Sequence, residues 1–261
     1  RRQGKPEEGA RAVRTVVEDY DDLGRGELAA EAEVTLRRLL LDEAAAFRTH
    51  DDPQRAEALL RQALDFEYDF PAAHRALIKL LCEDLGRRDA LVEEYETLLE
   101  TEPDSAIAHY GLGLTLTYPP DGDDGTHYAL EPAQAELLRA VELRYFFPTA
   151  WYARGWAASA RAERSYRNGE PDRAVGDQLE AALEYYRLAL AQVDPADDPY
   201  LQADVLLALG NANYQLGNPA TAYRFYLERL AAAPQNHKPA VEAHFHFNLA
   251  RCARYVEDYP T

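Results

Sequence analysis

Methionine is absent from the 261 residues, lysine occurs only as Lys5, Lys79 and Lys238, and cysteine only as Cys82 and Cys252. Each shortage removes a class of function. With so few lysines, 28 basic against 46 acidic side chains and a formal charge of −18, the chain lacks the clustered cations that neutralise nucleic-acid phosphates. The acid excess instead favours solubility and basic or neutral partners, and it is shared by halophile proteins. No apolar run of about 18 residues occurs, so membrane insertion is not expected. The start Arg1-Arg2-Gln3-Gly4 carries no initiator Met, which fits a processed protein or a piece of a longer one. A cytoplasmic location is expected, with a periplasmic one after signal removal as the alternative.

What is present is periodic. Within a 34-residue frame, Ala203–Asn236, Leu206, Leu209 and Gly210 precede Ala222, Tyr226 and Pro234. A bulky residue, Leu-Gly, Ala-x-x-x-aromatic and a closing Pro at this spacing resemble a tetratricopeptide repeat (TPR). The frame extends to Trp151, Gly155, Ala182, Tyr186, Ala189 and Pro195, with Arg154 in the Leu position and about fifteen extra residues between the halves. It recurs as His109, Leu112, Gly113, Ala133, Leu137 and Ala140, as His74, Leu77, Leu81, Ala90, Tyr95 and Pro103, and as Leu40, Ala44, Phe47, Ala56, Leu60 and Ala63. Segment 63–73 parallels 140–150, each closing one repeat and opening the next.

The resemblance implies an all-α fold, a right-handed α-solenoid of antiparallel helix pairs (a TPR superhelix). The expected organisation is a flank over 1–27, with a short amphipathic helix carrying Val13, Val16, Val17 and Tyr20 and residues 1–7 disordered. A solenoid of about five and a half repeats follows over 28–261. An acidic loop is expected near 117–131. Val175, Leu179, Ala182, Leu183, Tyr186, Leu190 and Val193 keep helical spacing, so a lengthened helical hairpin is expected near 149–193. Residues 246–250 with Asp258 and Tyr259 read as the first helix of a sixth repeat.

Reactive groups find no constellation. His74, His109 and His246 occupy the repeat position that Trp151 fills, so they read as packing residues on separate rungs. Asp121-Gly-Asp-Asp-Gly125 lacks the acid at position 5 and the Glu at position 12 of a calcium loop. Cys82 and Cys252 stand four repeats apart, beyond the roughly 7 Å that a disulfide spans, and read as inert thiols. No phosphate-cradling glycine loop or nucleophile elbow occurs, so no catalytic residue, metal or cofactor is expected.

In the family, the first helices of the repeats line a concave surface. Carried onto this chain, the peptide groove comprises Arg75, Lys79, Tyr110, Leu114, Tyr152, Trp156, Asn211, Tyr214, Phe247, Arg251 and Arg254. Aromatics dominate its middle, and its cations outnumber Glu83 and Asp204. Asn211 and Asn248 match two positions of the family's chaperone-tail clamp, but Leu207 stands where that clamp has Lys. The function implied is a non-catalytic scaffold binding a peptide segment of a protein partner. The alternatives are a regulatory or substrate-recruiting arm of a larger enzyme, or a periplasmic or lipid-anchored assembly factor. Self-association through the hairpin near 160–180 or the convex face is a further option.

Overall fold

The computed structural model describes residues 15, 26–50, 52–121, 130–194, 198–232 and 239–258. The expected flank helix, most of the acidic loop, and Pro195, Pro234, Asn236 and Tyr259 lie outside them. Eleven helices run through the described residues: α1 Gly26–Thr49, α2 Pro53–Phe66, α3 Pro71–Glu83, α4 Arg88–Thr101, α5 Ala106–Leu116, α6 Glu131–Leu143, α7 Pro148–Arg167, α8 Asp172–Gln192, α9 Pro199–Gln215, α10 Pro219–Ala232 and α11 Pro239–Asp258.

Helix boundaries follow local chemistry. Six helices start on proline, whose missing N–H costs nothing at a first position. Asp52, Ser105 and Asp198 cap α2, α5 and α9 by accepting from Arg55 N, Ala108 N and Leu201 N. The N-terminus of α4 is capped from a distance: the Asp121 carboxylate accepts from Arg88 N at 2.9 Å and Asp89 N at 3.1 Å. Thus the first acid of the expected loop serves as a helix cap. The helices α7 and α9 end alike. Gly169 and Gly217 adopt φ of 70° and 77°. The following N–H groups, of Glu170 and Asn218, return to Ser165 O and Asn213 O. This turn needs a residue without Cβ.

The chain divides into two compact units, Arg1–Leu80 and Leu81–Thr261. In the first, α1 packs on α2, and Leu36, Leu40, Ala44, Ala56, Leu59, Leu60 and Ala63 form the buried seam. In the second, α5 with α6, α7 with α8 and α9 with α10 form hairpins, and α11 packs on α10. Their seam depends on small residues. A Cβ on Gly113 would meet the Leu137 side chain, one on Gly155 the Tyr186 ring, and one on Gly210 the Tyr226 ring, all within 3.0 Å. Tyr95 shows the same need by another route. Ile78 occupies the small-residue slot of its repeat, and the Tyr95 ring lies against Gly111 of α5. At 20 and 21 residues, α7 and α8 exceed the 11 to 17 residues of α5, α6, α9 and α10. Leu179, Ala182, Leu183, Tyr186 and Ala189 are the buried stripe of α8.

Candidate functional site

His74, His109 and Trp151 perform one task. Their ring nitrogens face carbonyls six residues upstream: His74 Nε2 to Tyr68 O at 2.7 Å, His109 Nε2 to Pro103 O at 3.0 Å, and Trp151 Nε1 to Tyr145 O at 2.9 Å. A carbonyl only accepts, so each ring donates, tying the first helix of one repeat to the turn that closes the previous one. Tyr68 and Tyr145 also meet His74 and Trp151 edge-on, at 4.9 and 5.8 Å between ring centroids. Burial holds His74 at a pKa of about 4, against smaller opposing effects of the Tyr68 carbonyl and Asp69.

His246 departs from this pattern and corrects the expected packing role. It is exposed, and its neighbour Phe245 is fully buried. The reason is the face that α11 offers to α10. Phe245 and Cys252 join Ala222 and Tyr226 in one cluster, and the Arg229 guanidinium lies 4.1 Å from the Phe245 ring centroid. Position 246 is turned about 100° away from that contact. The two cysteines are separate and free, Cys252 buried and Cys82 partly so. Burial raises the Cys82 thiol to a pKa of about 12, which makes it a poor nucleophile.

The expected groove residues of the second unit do not all reach a surface. Tyr110 and Leu114 are 0% and 1% exposed, which corrects their placement on a ligand face. The helix α5 is apolar around its circumference and touches α4, α6 and α7, so no side is left open. The Tyr110 ring instead packs on Phe147 at 5.1 Å. In the first unit, Arg75 is buried and Lys79 partly buried.

The remaining positions form a row on α7, α9 and α11. On α7, Tyr152 and Trp156 are partly buried, with ring centroids 6.5 Å apart. Trp156 meets Tyr118 edge-on at 4.8 Å, and Tyr152 lies 5.9 Å from Tyr186. Below them the buried Tyr186 hydroxyl is bonded to Ser159 Oγ at 3.1 Å, and burial raises its pKa. On α9, Asn211 Oδ1 accepts from the Tyr226 hydroxyl at 2.8 Å and from Asn248 Nδ2 at 3.5 Å. The Tyr186 and Tyr226 hydroxyls thus each tie the second helix of a hairpin to its first. At the far end the Arg251 guanidinium lies 5.2 Å from the Tyr214 centroid and 5.5 Å from that of Phe247. Phe247 is 58% exposed, and Arg251 and Arg254 are exposed beside it. The row offers aromatic faces and guanidinium groups; its acid, Asp204, is buried.

One feature escaped the frame-based reading. Arg154 is held by rings, its guanidinium 5.2 Å from the Trp151 centroid and 4.2 Å from that of Tyr185, with Nη2 donating to Tyr185 Oη at 3.1 Å. Tyr185 beside Tyr186 was the signal, because an extra tyrosine on the same turn supplies the ring that a leucine would not need. Among the described residues no group of three or more His, Cys, Asp and Glu could hold a metal ion. No described helix is long and apolar enough to cross a membrane.

No family model and no curated protein matches the chain. Solved structures do. TTC0263, a thermophilic TPR protein from Thermus thermophilus, aligns with a TM-score of 0.52 at 19% identity over 82% of this chain and 99% of its own. PilW, a widely conserved type IV pilus biogenesis factor, aligns at 0.41 and 20% over 85% and 92%. A tetratricopeptide repeat protein from Parabacteroides merdae ATCC 43184 aligns at 0.37 and 14% over 94% and 99%. The likeness to the Thermus protein agrees with the helix pairs described above, and the fold is the all-α solenoid of tetratricopeptide repeats.

Proposed function

We propose that this tetratricopeptide-repeat chain is a non-catalytic scaffold that binds a peptide segment of a partner protein along the row on α7, α9 and α11. The observation that carries this reading is the arrangement of Tyr152, Trp156, Tyr214, Phe247 and Arg251 on consecutive first helices, braced from below by Tyr186 and Tyr226. Rings held in place and only partly covered give contact area at little entropic cost. Arg251 and Arg254 add a preference for a segment with acidic or carbonyl-rich character.

Peptides selected on the wild-type chain from a displayed random library test this. Their affinity should fall by about tenfold or more in Phe247→Ala and in Trp156→Ala, as for central aromatic anchors elsewhere, with helical circular dichroism unchanged. Selected peptides that bind both variants as well as the wild type would remove the row from the binding reaction.

A further inference from the structure

A second site lies on the other side of α7. Residues 154, 158 and 161 are two positions from 152, 156 and 159, a rotation of about 200° around the helix. There a cleft of about 580 Å³ opens between α6, α7 and α8. Its wall includes Arg154, which stands in the frame's leucine position and leans into the rings of Trp151 and Tyr185. Alanines from α6, α7 and α8 leave room beside it.

The polar groups of this cleft bond mainly to neutral partners. Arg154 donates to a phenol and faces two rings, while Arg161 Nη1 reaches only the neutral Gln134 Oε1, at 3.3 Å. In a chain with 46 acidic side chains, neither guanidinium has a carboxylate within 4 Å among the described residues; Glu142 and Glu184 act on Arg154 only from farther off. Asp177 on the rim stands 4.0 Å from Arg173 instead. Gln178 donates to Ser165 Oγ, but its buried Oε1 has no donor.

We infer that this cleft docks an acidic segment of a partner protein, with an Asp or Glu carboxylate on Arg154 and Arg161 and a neighbouring apolar side chain on Leu138 and the alanines. The volume suits a few side chains. The arginines select the carboxylate by charge complementarity. Leu138 and the alanines select a peptide over a simple inorganic anion, because only the peptide brings an apolar side chain beside its carboxylate. The chain's overall negative charge opposes approach at long range, but at physiological ionic strength that field is screened beyond about 8 Å, and the contact is short-range.

The test uses two pools of dye-labelled heptapeptides with mixed Leu, Val, Phe and Tyr flanks, one with a central Glu and one with a central Gln, titrated by fluorescence anisotropy. The Glu pool should bind the wild type at least about tenfold more tightly than the Gln pool, and Arg161→Ala and Arg154→Leu should each remove most of that difference. Arg161 is exposed, so Arg161→Ala keeps the fold, as circular dichroism will check. The same titrations are repeated in the Trp156→Ala background, where the aromatic row is disabled, so that the Glu-over-Gln preference left there and its loss on adding Arg161→Ala report this cleft alone. Equal binding of the two pools, no Glu-pool binding at millimolar protein, or full affinity in Arg161→Ala would overturn the proposal. So would loss of the Glu-over-Gln preference in Trp156→Ala, which would place the peptide in the row. Saturable stabilisation by benzoate without peptide binding would overturn it in favour of a small organic acid.

Discussion

In the α7–α8 hairpin the Tyr186 ring sits against Gly155, and in the α9–α10 hairpin the Tyr226 ring sits against Gly210. Each tyrosine hydroxyl then bonds to a polar residue of the first helix, Ser159 in one and Asn211 in the other. Around this shared hinge the hairpins diverge. The position before the glycine is Leu209 in α9, fully buried, and Arg154 in α7, held by two rings and a hydroxyl. The same slot therefore accepts a hydrocarbon or a cation, provided the neighbours change with it. Trp151 and Tyr185 accompany the arginine; Leu206 and Phe225 stand at the matching positions of the other hairpin.

The sharpest way to break this comparison is to move the cation alone. Leu209→Arg should destabilise the second unit by about 3–5 kcal/mol, the cost of a buried charge without partners. Adding Leu206→Trp and Phe225→Tyr should restore part of that loss in urea unfolding. If the single variant is as stable as wild type, the rings are not what makes the slot tolerant.

Glycine is the next test, because both hairpins share it. A Cβ would overlap the Tyr186 ring at Gly155 and the Tyr226 ring at Gly210. Gly155→Ala and Gly210→Ala should each cost about 1–3 kcal/mol through overpacking, despite the better helix propensity of alanine. The open position Gly176 of α8, with nothing within 4 Å of its Cβ, should respond oppositely: Gly176→Ala should gain up to about 1 kcal/mol. Thermal midpoints that fall in all three variants would mean that helix distortion, not ring contact, decides.

The smallest effect is expected for Arg154→Leu, which restores the repeat's ordinary residue. Stability should change by less than about 1 kcal/mol, since replacing a partly buried cation by a hydrocarbon is often neutral. A loss well above that in calorimetry would show that the ring-held arginine supports the hairpin.

Much of the fold was legible because its determinants are local. Prolines at helix starts and Gly169 and Gly217 at helix ends act on adjoining residues, and the seam glycines Gly113, Gly155 and Gly210 each stand four residues after His109, Trp151 and Leu206. The ligand face was less legible. Transferring its positions from one repeat to another assumes that every first helix has the same open side, and α5 is covered all round, which takes Tyr110 and Leu114 into the interior. The α11 register failed in a related way, because the helix rotates to bury Phe245 against α10. Asp121 could not be recognised as a helix cap, since the N–H groups it receives lie 32 and 33 residues away. Nor could Arg154 be read as a cleft wall without the fold that sets Tyr185 beside it.

The ring-to-carbonyl bonds of His74, His109 and Trp151 have a mechanical consequence. Each acts as a pin through a joint, joining the turn after α2, α4 or α6 to the helix that follows. At the joint between α8 and α9 the corresponding residue is Leu206, a hydrocarbon that can pack but cannot donate. The start of α9 is therefore held by packing of Leu206 and by the Asp198 cap, which accepts from Leu201 N at 2.8 Å, with no ring-to-carbonyl bond from that position.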